Sequence, residues 1–291
     1  DTISVGDASH TLSGMVGQID IHGEADTADT LNVVDTFDTT GRTGTLATTG
    51  LTGLGMTIGL NYLGIENFNL TLGQGADTLY VAGTSTAVNA IDGYWGSDTI
   101  NVNSISGTTT VYGDRVDSSV GGGDPGRGLG GDDTLRVNYR EDGKQTYENG
   151  VAALLTVSGG EGSDQYDVGL SGKLSGSVTT PLVSRINVDS THAADLGADR
   201  MNVFGTDDPD LFLFRPHTIM ALQMDANSQP VAGGGVERIN YSTISGGITV
   251  FGRDGNDTFA FDDTSSALTV YGDAGADTFQ VGQIFASPRD A

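Results

Sequence analysis

Apolar side chains along this chain recur at alternate positions in short bursts, and each burst follows an aspartate. The aspartates are Asp1, Asp29, Asp77, Asp98, Asp133, Asp164, Asp199, Asp210, Asp257 and Asp277. Each is followed at +2 and +4 by two large apolar residues, from Ile3/Val5 and Leu31/Val33 through Leu79/Val81, Ile100/Val102, Leu135/Val137, Tyr166/Val168, Met201/Val203, Phe212/Phe214 and Phe259/Phe261 to Phe279/Val281. A period of two puts such side chains on one face of a strand, and the threonines common at +1 suit the opposite, exposed face. A second alternating run often precedes the aspartate, as in Leu268-Thr269-Val270-Tyr271, Ile248-Thr249-Val250-Phe251 and Leu155-Thr156-Val157. Strand, turn, strand and return loop then make one coil. Intervals of 21 residues from Asp77 to Asp98 and 20 from Asp257 to Asp277 match one turn of a stack with rungs roughly 4.8 Å apart. The pattern predicts an all-β, largely parallel β-solenoid of β-roll or β-helix type, with loop insertions in the longer intervals.

A larger duplication lies over the short one. Asp1–Gly6 corresponds to Asp164–Gly169, Leu12-Ser13-Gly14 to Leu174-Ser175-Gly176, Gly64-Ile65-Glu66 to Gly235-Val236-Glu237, Asp77 to Asp257 and Asp98 to Asp277. These matches predict two repeat units, 1–163 and a truncated 164–291. Opening on the aspartate of a motif, the chain reads as a segment of a longer repetitive protein.

Composition narrows the function. Forty-five glycines suit strands joined by turns, and 13 basic against 38 acidic residues leave a net charge of −25. Lys144 and Lys173 are the only lysines, so no basic surface is available to displace counterions from a nucleic acid. The absence of cysteine excludes disulfides, thiolate metal sites and cysteine nucleophiles. No apolar run approaches the ~18 residues of a membrane-spanning helix. A compact state this acidic would repel itself unless cations neutralised it.

Five turns fit Gly-x-x-Gly-x-Asp, at residues 93–98, 128–133, 159–164, 252–257 and 272–277, and looser ones end at Asp77 and Asp199. The turn Gly159-Gly160-Glu161-Gly162-Ser163-Asp164-Gln165-Tyr166-Asp167 fits the full nonapeptide G-G-x-G-x-D-x-U-x. Here the chain resembles the repeat-in-toxin (RTX) family of secreted bacterial calcium-binding proteins, whose parallel β-roll holds Ca2+ between turns. The resemblance implies calcium ligation by Asp77, Asp98, Asp133, Asp164, Asp199, Asp257 and Asp277, completed by carbonyls near Gly75, Gly96, Gly131, Gly162, Gly255 and Gly275. It also implies an extracellular or cell-surface location. The chain departs from the family in its motif spacing and in Tyr94, Leu129, Arg253 or Asp273 at the second glycine position. A second reading stays open: the aspartates cap turns by accepting backbone N–H bonds, most plainly at Asp29 and Asp210. A rival fold is an array of calcium-bridged β-sandwich domains, with antiparallel strands in the long intervals.

Catalytic signatures are missing. His10, His22, His192 and His217 are widely separated, there is no Gly-x-Ser-x-Gly elbow, and Gly121-Gly122-Gly123 lacks a phosphate-binding setting. The expectation is a non-enzymatic, calcium-stabilised structural segment, such as an adhesin stalk, spacer or fibre unit, whose partners are neighbouring repeats or copies end to end. The alternative is a carbohydrate-binding or accessory module of a secreted polysaccharide-active enzyme, with Tyr94 and Trp95 on cell-surface or matrix glycans.

Overall fold

The computed structural model describes residues 1–24, 28–115, 130–139, 150–170, 183–191, 197–222, 229 and 236–282. His192, Lys144, Lys173, the glycines 121–123, residues 174–176, Gly128, Leu129 and Gly235 lie outside them. In chain order the strands are β1 (Thr2–Val5), β2 (Ile19–His22), β3 (Thr30–Val34), β4 (Thr43–Ala47), β5 (Gly50–Gly53), β6 (Leu60–Leu63), β7 (Asn67–Thr71) and β8 (Thr78–Val81). They continue as β9 (Val88–Asp92), β10 (Thr99–Val102), β11 (Thr109–Tyr112), β12 (Thr134–Val137), β13 (Leu154–Ser158), β14 (Gln165–Gly169), β15 (Val183–Asp189) and β16 (Arg200–Phe204). The last are β17 (Leu211–Arg215), β18 (Thr218–Leu222), β19 (Val236–Tyr241), β20 (Ile248–Phe251), β21 (Thr258–Phe261), β22 (Leu268–Tyr271) and β23 (Thr278–Val281).

These strands form two sheets. One has 12 strands in the order β1-β3-β7-β9-β11-β13-β15-β19-β18-β17-β21-β23, the other 11 in the order β2-β6-β5-β4-β8-β10-β12-β14-β16-β20-β22. The chain passes back and forth between them, so most neighbours within a sheet are parallel and belong to successive rungs. The architecture is all-β, with parallel strands in two open sheets. Among the described residues, antiparallel pairing is confined to β4-β5-β6 and β17-β18-β19, both inside long intervals between motifs. These hairpins extend the same two sheets.

Register follows the alternation. Leu79, Ile100, Leu135, Tyr166 and Met201 pair in line along one sheet, and Val81, Val102, Val137, Val168 and Val203 beside them. A one-residue slip would turn both columns out to water, so burial fixes the pairing. Phe212, Phe259 and Phe279 form a third column, with ring centroids 5.3 and 5.0 Å apart. The fully buried rings of Phe212 and Phe259 each contribute roughly 1.5–3 kcal/mol through burial alone. At the end of the stack the inward column is uncovered, with Phe279 51% and Val281 87% exposed, because no described rung covers them.

The motif strands do not all share one sheet. Those after Asp1 and Asp29 (β1, β3) and those after Asp210, Asp257 and Asp277 (β17, β21, β23) lie in the 12-stranded sheet, whereas β8, β10, β12, β14 and β16 lie in the other. The proposed unit boundary after residue 163 falls inside an unbroken column, since β12 pairs directly with β14.

Candidate functional site: an aspartate ladder at the corners

Each motif aspartate sits at the corner where the chain enters a strand, and at all but Asp1 and Asp277, which precede the two end strands, its side chain is buried. Asp29, Asp77, Asp98, Asp133, Asp164, Asp199, Asp210 and Asp257 are all at most 3% exposed. What holds them there is a ladder of charge-assisted hydrogen bonds between rungs. The Arg42 N–H donates to Asp77 Oδ1 at 2.6 Å, the Asp77 N–H to Asp98 Oδ1 at 2.7 Å, and the Asp98 N–H to Asp133 Oδ1 at 2.7 Å. Asp133 then donates to Asp164 and Asp164 to Asp199, both at 2.9 Å, and the Asp199 N–H ends the column on Ser245 Oγ at 3.0 Å. A second column joins Asp210 to Asp257 at 2.8 Å and Asp257 to Asp277 at 3.0 Å. At the other end of the molecule the Asp29 N–H donates to Glu66 at 2.8 Å.

The second carboxylate oxygen distinguishes the corners. In the short corner Gly73–Asp77 the Gly73 N–H reaches Asp77 Oδ2 at 2.9 Å, and at Asp210 the Thr206 N–H does so at 2.6 Å. In the longer Gly-x-x-Gly-x-Asp corners, Oδ2 of Asp98, Asp133 and Asp257 is buried without a hydrogen-bond partner. It packs on the first glycine of its own corner. A Cβ there would meet both that carboxylate and a glycine carbonyl of the next rung: Gly113 O for Gly93, Gly159 O for Gly113, and Gly272 O for Gly252.

Burial dominates the electrostatics. It pushes the Asp98 carboxyl up to about 8, against the Asp77 N–H bond and with further help from the charges of Asp77 and Asp92. Asp257 rises to about 7 by burial, opposed by the Asp210 N–H and helped by Asp210, Asp277 and Asp273. Asp133 and Asp114 are both pushed strongly upward by burial and then by neighbouring carboxylates, Asp114, Asp98 and Asp164 at Asp133 and Asp98, Asp164 and Asp92 at Asp114. Asp210, whose Oδ2 accepts both the N–H and the hydroxyl of Thr206, reaches only about 6 despite being as deeply buried.

The predicted ligands fall into two separate columns. The carboxylates line the first-glycine column. The glycines just before the aspartates form another, in which the carbonyl of Gly75 abuts Gly96, that of Gly96 abuts Gly131, that of Gly131 abuts Gly162, and that of Gly255 abuts Gly275. Positive φ at Gly96 (111°), Gly162 (129°), Gly255 (128°) and Gly275 (145°) permits this close stacking. Calcium takes six to eight oxygen ligands; each unpartnered Oδ2 lies beside a glycine carbonyl of the next rung, and each Oδ1 is directed at an N–H. Among the described residues no three histidine, aspartate or glutamate side chains converge as a metal site. The described side chains alone do not make up a calcium site.

Several participants had no place in the sequence reading. Gly113 and Asp114 open the corner that Asp133 closes, with the segment 115–129 inserted between them and Gly130. Gly113 therefore takes the place expected of Gly128. The signal was present, since Thr110-Val111-Tyr112-Gly113-Asp114 repeats Thr269-Val270-Tyr271-Gly272-Asp273 residue for residue. Asp114 is buried, accepts the Gly131 N–H at 2.9 Å on Oδ2, and has no partner for Oδ1. The column ends, Arg42 and Ser245, carried no signal that alternation could reveal. The other candidates are dispersed: His10 packs on Phe37 at 5.7 Å, His22 is exposed, and His217 Nδ1 lies 3.2 Å from Tyr241 O. Tyr94 and Trp95 are half-buried and stacked on each other, 5.0 Å apart and 6° from parallel, so each has one face already covered. No family model, curated protein or solved structure matches the chain.

Proposed function

We propose that this chain is a non-catalytic structural segment, a parallel β-solenoid that acts as a stiff spacer. The observation that carries the reading is the in-line register of parallel rungs from β8 to β16, tied corner to corner by the aspartate ladder from Asp77 to Asp199. Such a stack places its mechanical continuity in backbone bonds and repeated side-chain columns, and its length grows by about 4.8 Å per rung. Twelve strands in the longer sheet correspond to a rod of roughly 50 Å. Neighbouring rungs of the same kind, within one chain or from another copy, are the partners this geometry suits.

Removal of one rung tests the reading. Deletion of residues 248–267 takes out β20 and β21 with their corner and brings β22 and β23 into the vacated positions, Leu268 for Ile248 and Phe279 for Phe259. The shortened chain should fold cooperatively, and small-angle scattering should show a maximum dimension reduced by about 5 Å. A compact particle before deletion, or a chain that no longer folds after it, would count against a modular rod.

A further inference from the structure

The two ends of the stack differ. At the first, the inward residues Val5 and Ile21 are buried and Ile3 and Ile19 half-buried. At the last, Phe279 and Val281 are exposed and, with Phe261, Leu268 and Val270, line an open groove of about 460 Å³ between the sheets. Among the described residues, β22 and β23 also have no strand on their outer edges, and a bare edge is a template for another strand.

The first end carries parts that match this one. β1 and β23 are the two edge strands of one sheet and run in the same direction, because the reversal between β19 and β18 is undone between β18 and β17. Both follow the same motif, Asp1-Thr2-Ile3-Ser4-Val5 and Asp277-Thr278-Phe279-Gln280-Val281, and β1 pairs with β3 as β21 does with β23. The connection from β1 to β2, residues 6–18, crosses between the sheets on the same edge of the rod as residues 242–247 and 262–267, but has 13 residues against their six. From it Met15 packs on the core and Val16 projects, 72% exposed. The Thr57 N–H on Met15 O at 3.0 Å brings Ile58, 53% exposed, to the same place.

We infer that the groove end of one copy receives the β1 end of a second copy, head to tail, with β1 laid parallel on β23 and residues 6–18 over the groove. Thr2 then falls opposite Thr278, Ile3 opposite Phe279 and Val5 opposite Val281, the register already used between β1 and β3 and between β21 and β23. A slip by one residue would turn both apolar pairs out to water. The joint lacks one strand over β22, since β2 follows β1 and belongs a rung further on. The extra length of residues 6–18, with Met15 and Val16, covers Leu268 and Val270 there. Such a contact is heterologous, so it repeats without closing and gives an unbranched file of copies. It rests on the spacer reading and names a second copy as the partner.

The test is sedimentation and electron microscopy of the full chain in roughly 0.5 M salt, which screens the exposed carboxylates Asp7 and Asp20 at one end and Asp263 and Asp273 at the other. The parent should form a concentration-dependent series of dimers, trimers and longer rods. Val16→Asp and Val281→Asp each place a charge on one side of the joint at an exposed site, so both should melt like the parent and remain monomeric. Mixed in equal amounts they should give a one-to-one dimer and nothing longer, because one intact end of each kind survives. A parent that stays monomeric at about 0.1 mM overturns the proposal, as does a Val16→Asp chain that dimerises alone, which would join the two groove ends instead. Small-angle scattering of monomeric Val281→Asp examines the spacer reading separately: a rod there beside a monomeric parent removes the joint alone, and a compact particle removes the rod.

Discussion

The corners at Asp77 and Asp98 are adjacent rungs of one column, yet they solve the same problem differently. Both aspartates are buried, and both take an N–H from the preceding rung on Oδ1. At Asp77 the residue four positions back, Gly73, directs its N–H to Oδ2. At Asp98 that residue is Tyr94, held at φ 77°, and its N–H goes instead to Asp92 Oδ1 at 3.0 Å. The other column repeats the contrast. Thr206 satisfies Asp210, whereas Arg253, at φ 76°, turns its N–H to Asp273 Oδ2 at 3.2 Å and leaves Asp257 Oδ2 unbonded. One left-handed residue thus decides whether Oδ2 takes an N–H from its own corner or is left without one. Asp210 at about 6 and Asp98 at about 8 express that difference under comparable burial.

The largest effect should come from filling the space on which the unbonded oxygen rests. Gly252→Ala would drive a methyl against the Asp257 carboxylate and the Gly272 carbonyl, 2.7 Å from the latter, and backbone cannot move aside as a side-chain tip can. Overpacking of this kind costs about 3 kcal/mol or more. Gly17→Ala, with nothing within 4 Å of the new methyl, should change stability by no more than about 0.5 kcal/mol. Chemical denaturation of both variants measures the contrast, and equal losses would mean that the corner is looser than the contacts imply.

Exchanging aspartate for asparagine should have opposite signs at the two kinds of corner. At Asp77 both oxygens accept N–H groups, from Arg42 and Gly73, so either orientation of the amide sets a donor against a donor. Asp77→Asn should cost about 1–3 kcal/mol. Asp98→Asn meets one N–H and one carbonyl and should be neutral or stabilising at pH 8. Urea midpoints for the two variants at one pH suffice, and a loss at both positions would erase the distinction between corners.

Much of the fold was legible because its cause is periodic. Alternation after each aspartate identified inward columns such as Leu79/Ile100/Leu135, and spacings of 20 and 21 residues identified the rungs. The hairpins β4-β5-β6 and β17-β18-β19 were less visible, since they join the same sheets with the same composition as the rungs. The aspartates were rightly singled out, but alternation records only which side of a strand faces inward. Whether an oxygen meets an N–H, a carbonyl or an ion depends on the backbone angle four residues earlier. A tyrosine or arginine at φ near 77° looks no different in sequence from one in a strand. The insertion at 115–129 hid the corner at Gly113 for a simpler reason, because it separates the two halves of a motif that the fold brings together.

The smallest effect bears on the left-handed residue itself. A bulky side chain at positive φ is strained by roughly 1 kcal/mol, and glycine removes that strain at some cost in chain entropy. In Tyr94→Gly the relief is set against the lost stack on Trp95, itself worth about 0.5–1.5 kcal/mol. The two contributions nearly cancel, so the melting temperature should move by only about 1 °C. The amide of residue 94 would keep its direction toward Asp92, because the left-handed turn is the conformation glycine accepts most readily, and Asp98 Oδ2 would stay without an N–H. The pH profile of Tyr94→Gly should therefore overlay that of the parent. A profile shifted to lower pH would mean that the corner had relaxed to the Asp77 form, and that the tyrosine side chain, not the corner's length, keeps the amide away from the carboxyl.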